Sequence, residues 1–202
     1  MDDGDLAGAL TAALDGDEAG LTVLWQALHP ALLRYLRVIV GEAAEDVASE
    51  TWLQAARDLV RFRGDLIGFR VWLFRIARHR AIDDRRRVRR QSEDLYDDAA
   101  QEKQAASPDA ETEAIDRLST GWALEVIASL PRDQAEAVML RVVAGLDVAQ
   151  TAQILGKRPG AVRIAAMRGL RRLANHPQVK ARSQTPVSGS RPSVDTAQAE
   201  GV

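Results

Sequence analysis

From Ala19 to Leu173 the apolar residues of this 202-residue chain recur three and four positions apart, and no stretch alternates convincingly. A period near 3.6 gathers such residues on one side of a helix, whereas a half-buried strand needs a period of two. The spacing therefore predicts an all-α protein. Leu21, Leu24, Trp25 and Leu28 mark the first clear helix, which resumes after His29-Pro30 with Leu32, Leu33, Leu36 and Ile39. Pro30 has no backbone N–H and is expected to kink or divide it. Gly41 ends that segment, and a second helix is expected from about Ala43 to Leu59, with Val47, Trp52, Ala56 and Leu59 inward. Residues 61–68 read as a loop, and a third helix runs from Phe69 to Arg85-Arg86-Arg87. Further helices are expected at 117–129, 132–144, 148–155 and 159–174.

With 46% hydrophobic and 28% charged residues, the composition suits one or two small soluble domains. The chain has no cysteine and three histidines, His29, His79 and His176. Disulfides, iron–sulfur clusters and thiolate zinc sites are excluded. No run approaches eighteen apolar residues and the N-terminus is acidic, so membrane insertion is not expected and a cytoplasmic location is. Residues 91–116, rich in Asp, Glu, Gln, Ala and Ser, read as an acidic flexible linker. The acidic segment 1–18 and the Ser-, Thr- and Pro-containing tail 177–202 are expected to lie outside the packed domains.

The net charge of −2 conceals a pattern of alternating sign. Residues 1–30 carry −6, 31–90 carry +6, 91–116 carry −8 and 117–180 carry +6. Two basic bodies joined by an acidic strap suggest that each basic body faces a polyanion, because like charges clustered on one body raise its self-energy without aiding the fold.

Nine of the 21 residues from Arg70 to Arg90 are Arg. On a helical wheel Arg75, Arg78, His79, Arg85 and Arg86 fall in one sector and Leu73, Ile76, Ala77 and Ala81 in the opposite one. Trp72 and Phe74 flank the basic sector. Cations for phosphates beside flat rings for unstacked bases are what single-stranded nucleic acid requires. Core rings next to a solvated arginine face would give the same pattern.

Farther on, Asp147-Val148-Ala149-Gln150 fits a capping box at the start of a short helix carrying Val148, Ala152 and Leu155. Gly156 suits the left-handed residue that closes it, and Pro159 the first turn of the next helix. There Val162, Ala166 and Leu170 are expected inward and Arg163, Met167, Arg168, Arg171 and Arg172 outward. A helix, a glycine-containing turn and a basic helix can place arginines in a major groove, against guanine edges or phosphates. Two packed helices with a basic surface would look similar.

Residues 19–174 resemble the extracytoplasmic-function group of the bacterial sigma-70 family, initiation factors of RNA polymerase. The motifs that carry the resemblance are Ala44-Glu45-Asp46-Val47-Ala48-Ser49-Glu50-Thr51-Trp52, Phe62-Arg63-Gly64-Asp65, and the run from Trp72 to Asp83. Ser129-Leu130-Pro131-Arg132 comes next, with Leu140-Arg141 and Ala144-Gly145-Leu146. The resemblance implies a sigma-2 helical bundle over 19–90 and a sigma-4 helix-turn-helix over 117–176, joined by the linker 91–116. It implies binding to core RNA polymerase at its clamp and flap, recognition of minus-10 and minus-35 promoter elements, promoter melting and, in some members, an anti-sigma partner. Asp46, Glu50, Gln54 and Arg57 are the implied clamp contacts. Phe62, Arg63, Phe69, Trp72, Arg75, Arg78, His79, Arg85 and Arg86 are the minus-10 candidates, the loop after Phe62 matching the family segment that holds a flipped base. This loop is one residue longer than in many relatives, and His79 stands where they often carry Asn. Arg141, Arg158, Arg163, Ile164, Met167, Arg168 and Arg171 are the minus-35 candidates. Ile164 replaces a position that is often small and polar, so apolar contact with a thymine methyl is expected there.

No Gly-rich phosphate loop of the Walker pattern occurs, so melting by base capture, with no nucleotide hydrolysis, no cofactor and no enzymatic activity, is the expectation. Two other classes fit parts of the chain. A stand-alone regulator would need only the second domain. A helical metal-dependent hydrolase would use the pairs His79/Asp83 and Asp46/Glu50, each four apart, although such spacing is also ordinary helix-surface chemistry.

Overall fold

In the computed structural model, which describes residues 2–94 and 121–184, folding begins inside the acidic lead-in. Asp2 and Asp5 form a reciprocal capping box that starts α1 (Asp3–Leu14), and Asp17 caps α2 (Glu18–Val40). Leu6, Leu10 and Ala13 bury one stripe of α1 against α2. The approach is close because Gly20 has no side chain. A Cβ there would lie 2.5 Å from the Ala9 carbonyl oxygen and 2.7 Å from the Ala13 nitrogen. The expectation that 1–18 lies outside the packed domains is thus corrected from Asp3 onward: three small or aliphatic residues suffice when the facing helix can come this near.

Pro30 neither ends nor divides α2. It sits on the exposed side, where water can reach the Gln26 carbonyl freed by the missing N–H, while Leu24, Leu28 and Leu32 hold the buried side in register. A 3-10 turn (Gly41–Ala43) leads to α3 (Ala44–Asp58). Its buried side is Ala44, Val47, Ala48, Thr51, Trp52 and Ala55; Ala56, expected inward, is exposed, one step round the helix. A second 3-10 turn (Leu59–Arg61) and a short loop come after it. The Asp65 carboxylate accepts a hydrogen bond from Gly68 N at 2.8 Å and starts α4 (Leu66–Asp94). The loop is therefore shorter than 61–68, and α4 runs past residue 90 into the first part of the expected linker. The rest of the linker lies outside the described residues. Leu73, Ile76, Ala77 and Ala81 are buried as the wheel predicts, but so is Phe74, edge-on to Tyr35 at 5.7 Å.

The second unit contains α5 (121–128), α6 (Arg132–Val138) continued by a π-helical turn (Met139–Val143), α7 (Val148–Leu155), α8 (Pro159–Asn175) and α9 (Pro177–Gln184). The last of these lies within the expected tail. The Arg182 guanidinium rests 4.4 Å above the Trp122 ring, a cation–π contact between α9 and α5. Residues 185–202 lie outside the described residues. Among the described residues there is no strand, and the fold is all-α with two helical domains.

The two units share one apolar core. Leu24, Leu32, Leu36 and Leu73 of the first belong to the same buried cluster as Met139, Leu140, Leu146, Leu155 and Val162 of the second. Val38 of α2 also packs against the smaller cluster of Leu130, Ala135 and Val138.

Candidate nucleic-acid interface

Three rings meet where the loop after α3 joins α4. Phe62 lies 5.6 Å from Phe69 and 5.2 Å from Trp72, and Phe69 lies 5.7 Å from Trp72. Phe62 and Phe69 are buried; Trp72 is half-buried and offers the accessible ring. Of the aromatic minus-10 candidates, then, only Trp72 has ring surface available to a base, and the other two fix its position. Gly64 (φ 154°) lets the loop fold over this cluster, since a Cβ there would lie 3.1 Å from the edge of the Phe62 ring. Arg63 braces the same loop by donating to the carbonyl oxygens of Val60 at 2.8 Å and Phe62 at 2.7 Å.

Along α4, Arg75, His79, Arg85 and Arg86 are exposed, in line with the wheel. Arg78 departs from it. Its side chain is 19% exposed, and its Nε donates to the Glu136 carboxylate of α6 at 3.2 Å. Two further arginines of the cluster also serve inside the protein. Arg70 pairs with Asp3 at 2.6 Å and ties α1 to the start of α4. Arg80 donates to the Gln54 side-chain oxygen at 2.9 Å and lies 3.5 Å from Glu50, joining α4 to α3.

That bridge reaches the proposed polymerase face. Asp46, Glu50 and Arg57 are exposed on α3, with Gln54 half-buried between them. Arg57 also donates to the Leu53 carbonyl at 3.3 Å. Arg80 is the residue that sequence reasoning missed here: it belongs to the arginine run, but nothing local distinguishes it from the exposed members. Beside this face an apolar groove between α2 and α3 is lined by Leu21, Trp25, Trp52 and Leu53.

In the second unit the Asp147–Gln150 capping box forms in both directions, Gly156 takes the left-handed conformation (φ 63°), and Pro159 opens α8. Arg163, Ile164, Met167, Arg168 and Arg171 share one outward face of α8, Ile164 and Met167 being 49% and 59% exposed. Arg158 is exposed at the α8 N-cap. Arg141 is half-buried and donates to the Leu146 carbonyl at 2.7 Å, bracing the turn before α7. Leu170, expected inward, is exposed; Gly169 takes the buried position, where a Cβ would lie 2.7 Å from the Val138 side chain. The small residue lets α8 approach α6 and shifts the contact line by one position.

Between the two units lies a buried carboxylate that the sequence did not single out. Glu136 is 1% exposed and receives Arg132 Nε at 2.9 Å on one oxygen and Arg78 Nε at 3.2 Å on the other. The Arg132 partner is visible as a four-residue spacing; the Arg78 partner, 58 residues away, is not. Burial pushes the Tyr35 phenol well above its ordinary value, and the Glu136 carboxylate pushes it further. His79 and Asp83 have no third metal-ligating neighbour among the described residues, where no group of three or more His, Cys, Asp or Glu side chains gathers. No described helix is long and apolar enough to cross a membrane.

Comparison with known proteins covers both units. Residues 24–91 match the Sigma-70 region 2 family and residues 120–173 the Sigma-70, region 4 family. The ECF RNA polymerase sigma factor ShbA of Streptomyces griseus is 34% identical, over 85% of this chain and 95% of its own length. The ECF RNA polymerase sigma factor SigD of Mycobacterium tuberculosis is 33% identical, over 83% of this chain and 82% of its own. The fold is similar to that of the sigma factor RpoE from Bartonella quintana, crystallised with the anti-sigma factor NepR: the TM-score is 0.57 at 20% identity, covering 76% of this chain and 94% of that one.

Proposed function

The chain belongs to the extracytoplasmic-function RNA polymerase sigma factors of the sigma-70 family, which bind the polymerase and direct promoter-specific transcription, and from that membership we propose how its surfaces divide the work. The α3 face, with Asp46, Glu50, Gln54 and Arg57, docks on the polymerase clamp. Trp72, held between Phe62 and Phe69, receives an unstacked base of the minus-10 element, with Arg63, Arg75, Arg78, His79, Arg85 and Arg86 drawing in the strand. Arg163, Ile164, Met167, Arg168 and Arg171 enter the minus-35 major groove, flanked by Arg141 and Arg158.

The supporting observation is the pairing, on one chain, of a supported half-exposed indole beside a basic helix with a second basic helix that comes after a left-handed glycine turn. The first arrangement suits single strands and the second duplex grooves. Because the polymerase would fix the distance between them, neither contact needs to be strong alone; tethering supplies the effective concentration for the second. Arginines contribute salt-dependent backbone affinity, while Trp72 and the α8 face contribute sequence preference. Melting then proceeds by capture of unstacked bases, without catalysis by this chain. Core polymerase, promoter DNA and an anti-sigma factor are the proposed partners, and the nucleoid of the cytoplasm the place of action.

Run-off transcription tests this, with bacterial core polymerase on a genomic promoter library, with and without the protein. Discrete transcripts that require the protein are expected. Absence of both transcripts and core binding would overturn the reading.

A further inference from the structure

One arginine of the α4 run is turned away from the proposed path of the strand. Arg80 stands about 100° round the helix from its exposed neighbour His79, outside the basic sector, and its guanidinium reaches α3 instead. We propose that Arg80 is a positioning residue for polymerase docking: it fixes the Gln54 amide and the Glu50 carboxylate in the arrangement that the clamp meets, and it makes no contact with the promoter strand. This rests on the proposed clamp role of the α3 face.

The geometry is that of a brace. Glu50, Gln54 and Asp58 are four apart and so lie along one face of α3. Arg80 Nε donates to Gln54 Oε1 at 2.9 Å, and its Nη1 lies 3.5 Å from Glu50 Oε2, so one planar fork spans two of the clamp candidates. At the other end of the same amide, Gln54 Nε2 donates to Asp58 Oδ2 at 3.4 Å. With a cation on one side and a carboxylate on the other, the amide has a single sense in which both of its ends are satisfied. Stability does not account for the brace. α3 and α4 already meet through the apolar core, where Ala48, Trp52 and Ala55 join Leu73, Ile76 and Ala77. The Arg80 and Glu50 side chains are 35% and 55% exposed, and an ion pair this open adds little to a fold. What the brace does is remove rotamer freedom from Gln54 and Glu50 before a partner arrives, which lowers the ordering cost of association.

The test measures two quantities on the full chain: its affinity for bacterial core polymerase, and the yield of protein-dependent run-off transcripts as protein concentration is raised. Arg80→Ala is expected to weaken core binding about tenfold, the effect of freeing two long side chains. It should raise the concentration needed for half-maximal transcription by the same factor and act on that concentration, not on the maximum. The double substitution Glu50→Ala with Gln54→Ala is expected to weaken core binding, and adding Arg80→Ala to it should then cost nothing more, because Arg80 acts through those two side chains. A merely structural role would persist in that background. Arg80→Lys keeps the charge but lacks the planar fork, and is expected to weaken core binding by less than Arg80→Ala does. It replaces Arg80→Ala where circular dichroism shows that variant to be unfolded. A lower maximal yield at saturating protein overturns the proposal, since it would make Arg80 a strand contact. So does a loss of core affinity that is undiminished in the doubly substituted α3 background, or core binding by both folded Arg80 variants that equals the parent's. The clamp reading fails separately, and takes the proposal with it, when Glu50→Ala with Gln54→Ala leaves core affinity unchanged.

Discussion

Helices α4 and α8 are both rich in arginine, and they use it in opposite ways. On α4, Arg70, Arg78, Arg80, Arg86 and Arg87 each lie within ion-pair distance of a carboxylate, on α1, α6, α3 or α4 itself. On α8, among the described residues, none of Arg163, Arg168 and Arg171 has an ion-pair partner. The cause is position. α4 is packed by α1, α2, α3 and the second unit, of which α1, α3 and the second unit bring it Asp3, Glu50 and Glu136 beside its own Asp83 and Asp84, whereas α8 has one face toward solvent. Arginine density in a sequence thus measures how many cations a helix carries, and the packing around it decides how many remain for a ligand.

Substitutions can break or sharpen that contrast. The largest effect is expected at Phe69→Ala in α4, which empties a fully buried ring site and should cost about 3–5 kcal/mol in chemical denaturation. A loss under about 1 kcal/mol would mean that the ring cluster is not a structural support. Trp72→Ala, at the accessible edge of the same cluster, is expected to remove roughly 1–3 kcal/mol of base stacking. It should impair open-complex formation more than polymerase binding, measured side by side; equal losses would sink that assignment. Arg163→Ala on α8 is expected to relax minus-35 selectivity by about 1–3 kcal/mol per base pair read. Its denaturation midpoint should stay within the equivalent of about 0.5 kcal/mol of the parent, since the side chain supports nothing inside.

The smallest effect is expected at Tyr35→Phe. The Tyr35 hydroxyl is buried and has no hydrogen-bond partner, so its removal should stabilise by at most about 1 kcal/mol at neutral pH. Its pKa is raised in the folded protein above the ordinary 10.0, so the folded state retains a proton that the unfolded state releases. The corresponding stability is complete below pH 10 and is lost progressively as the pH rises beyond it. Tyr35→Phe should therefore flatten this part of the alkaline decline in an unfolding series taken across pH 10.

Where local chemistry decides, the sequence was readable. The inner stripe of α4, the capping box at Asp147 and the left-handed Gly156 all depend on residues within a turn or two of one another, and all stand where spacing placed them. Where a distant partner decides, it was not. α1 and α9 gain their support from Gly20 and Trp122, and nothing in either segment announces that contact. Ala56 and Leu170 were each placed one step off because an ideal wheel fixes the period of a stripe but not its centre line, which Ala55 and Gly169 set by admitting a neighbour. The candidate site divides in the same way: the outward face of α8 was legible, while the burial of Phe62 and Phe69 and the capture of Arg78 by Glu136 depend on how loop, helix and second unit meet.

The π-helical turn at Met139–Val143 carries a consequence for the whole molecule. A π turn amounts to one residue inserted into an α-helix, and each residue rotates the downstream chain by about 100°. Glu136 lies before that insertion, and the capping box that starts α7 lies after it. The angular setting of the carboxylate relative to the α7–α8 pair therefore depends on a single extra residue. Deleting the exposed Val142 would restore the regular pitch and rephase one against the other, so that a change in residue count, with no change in the charge of either face, would alter which surface looks toward Arg78.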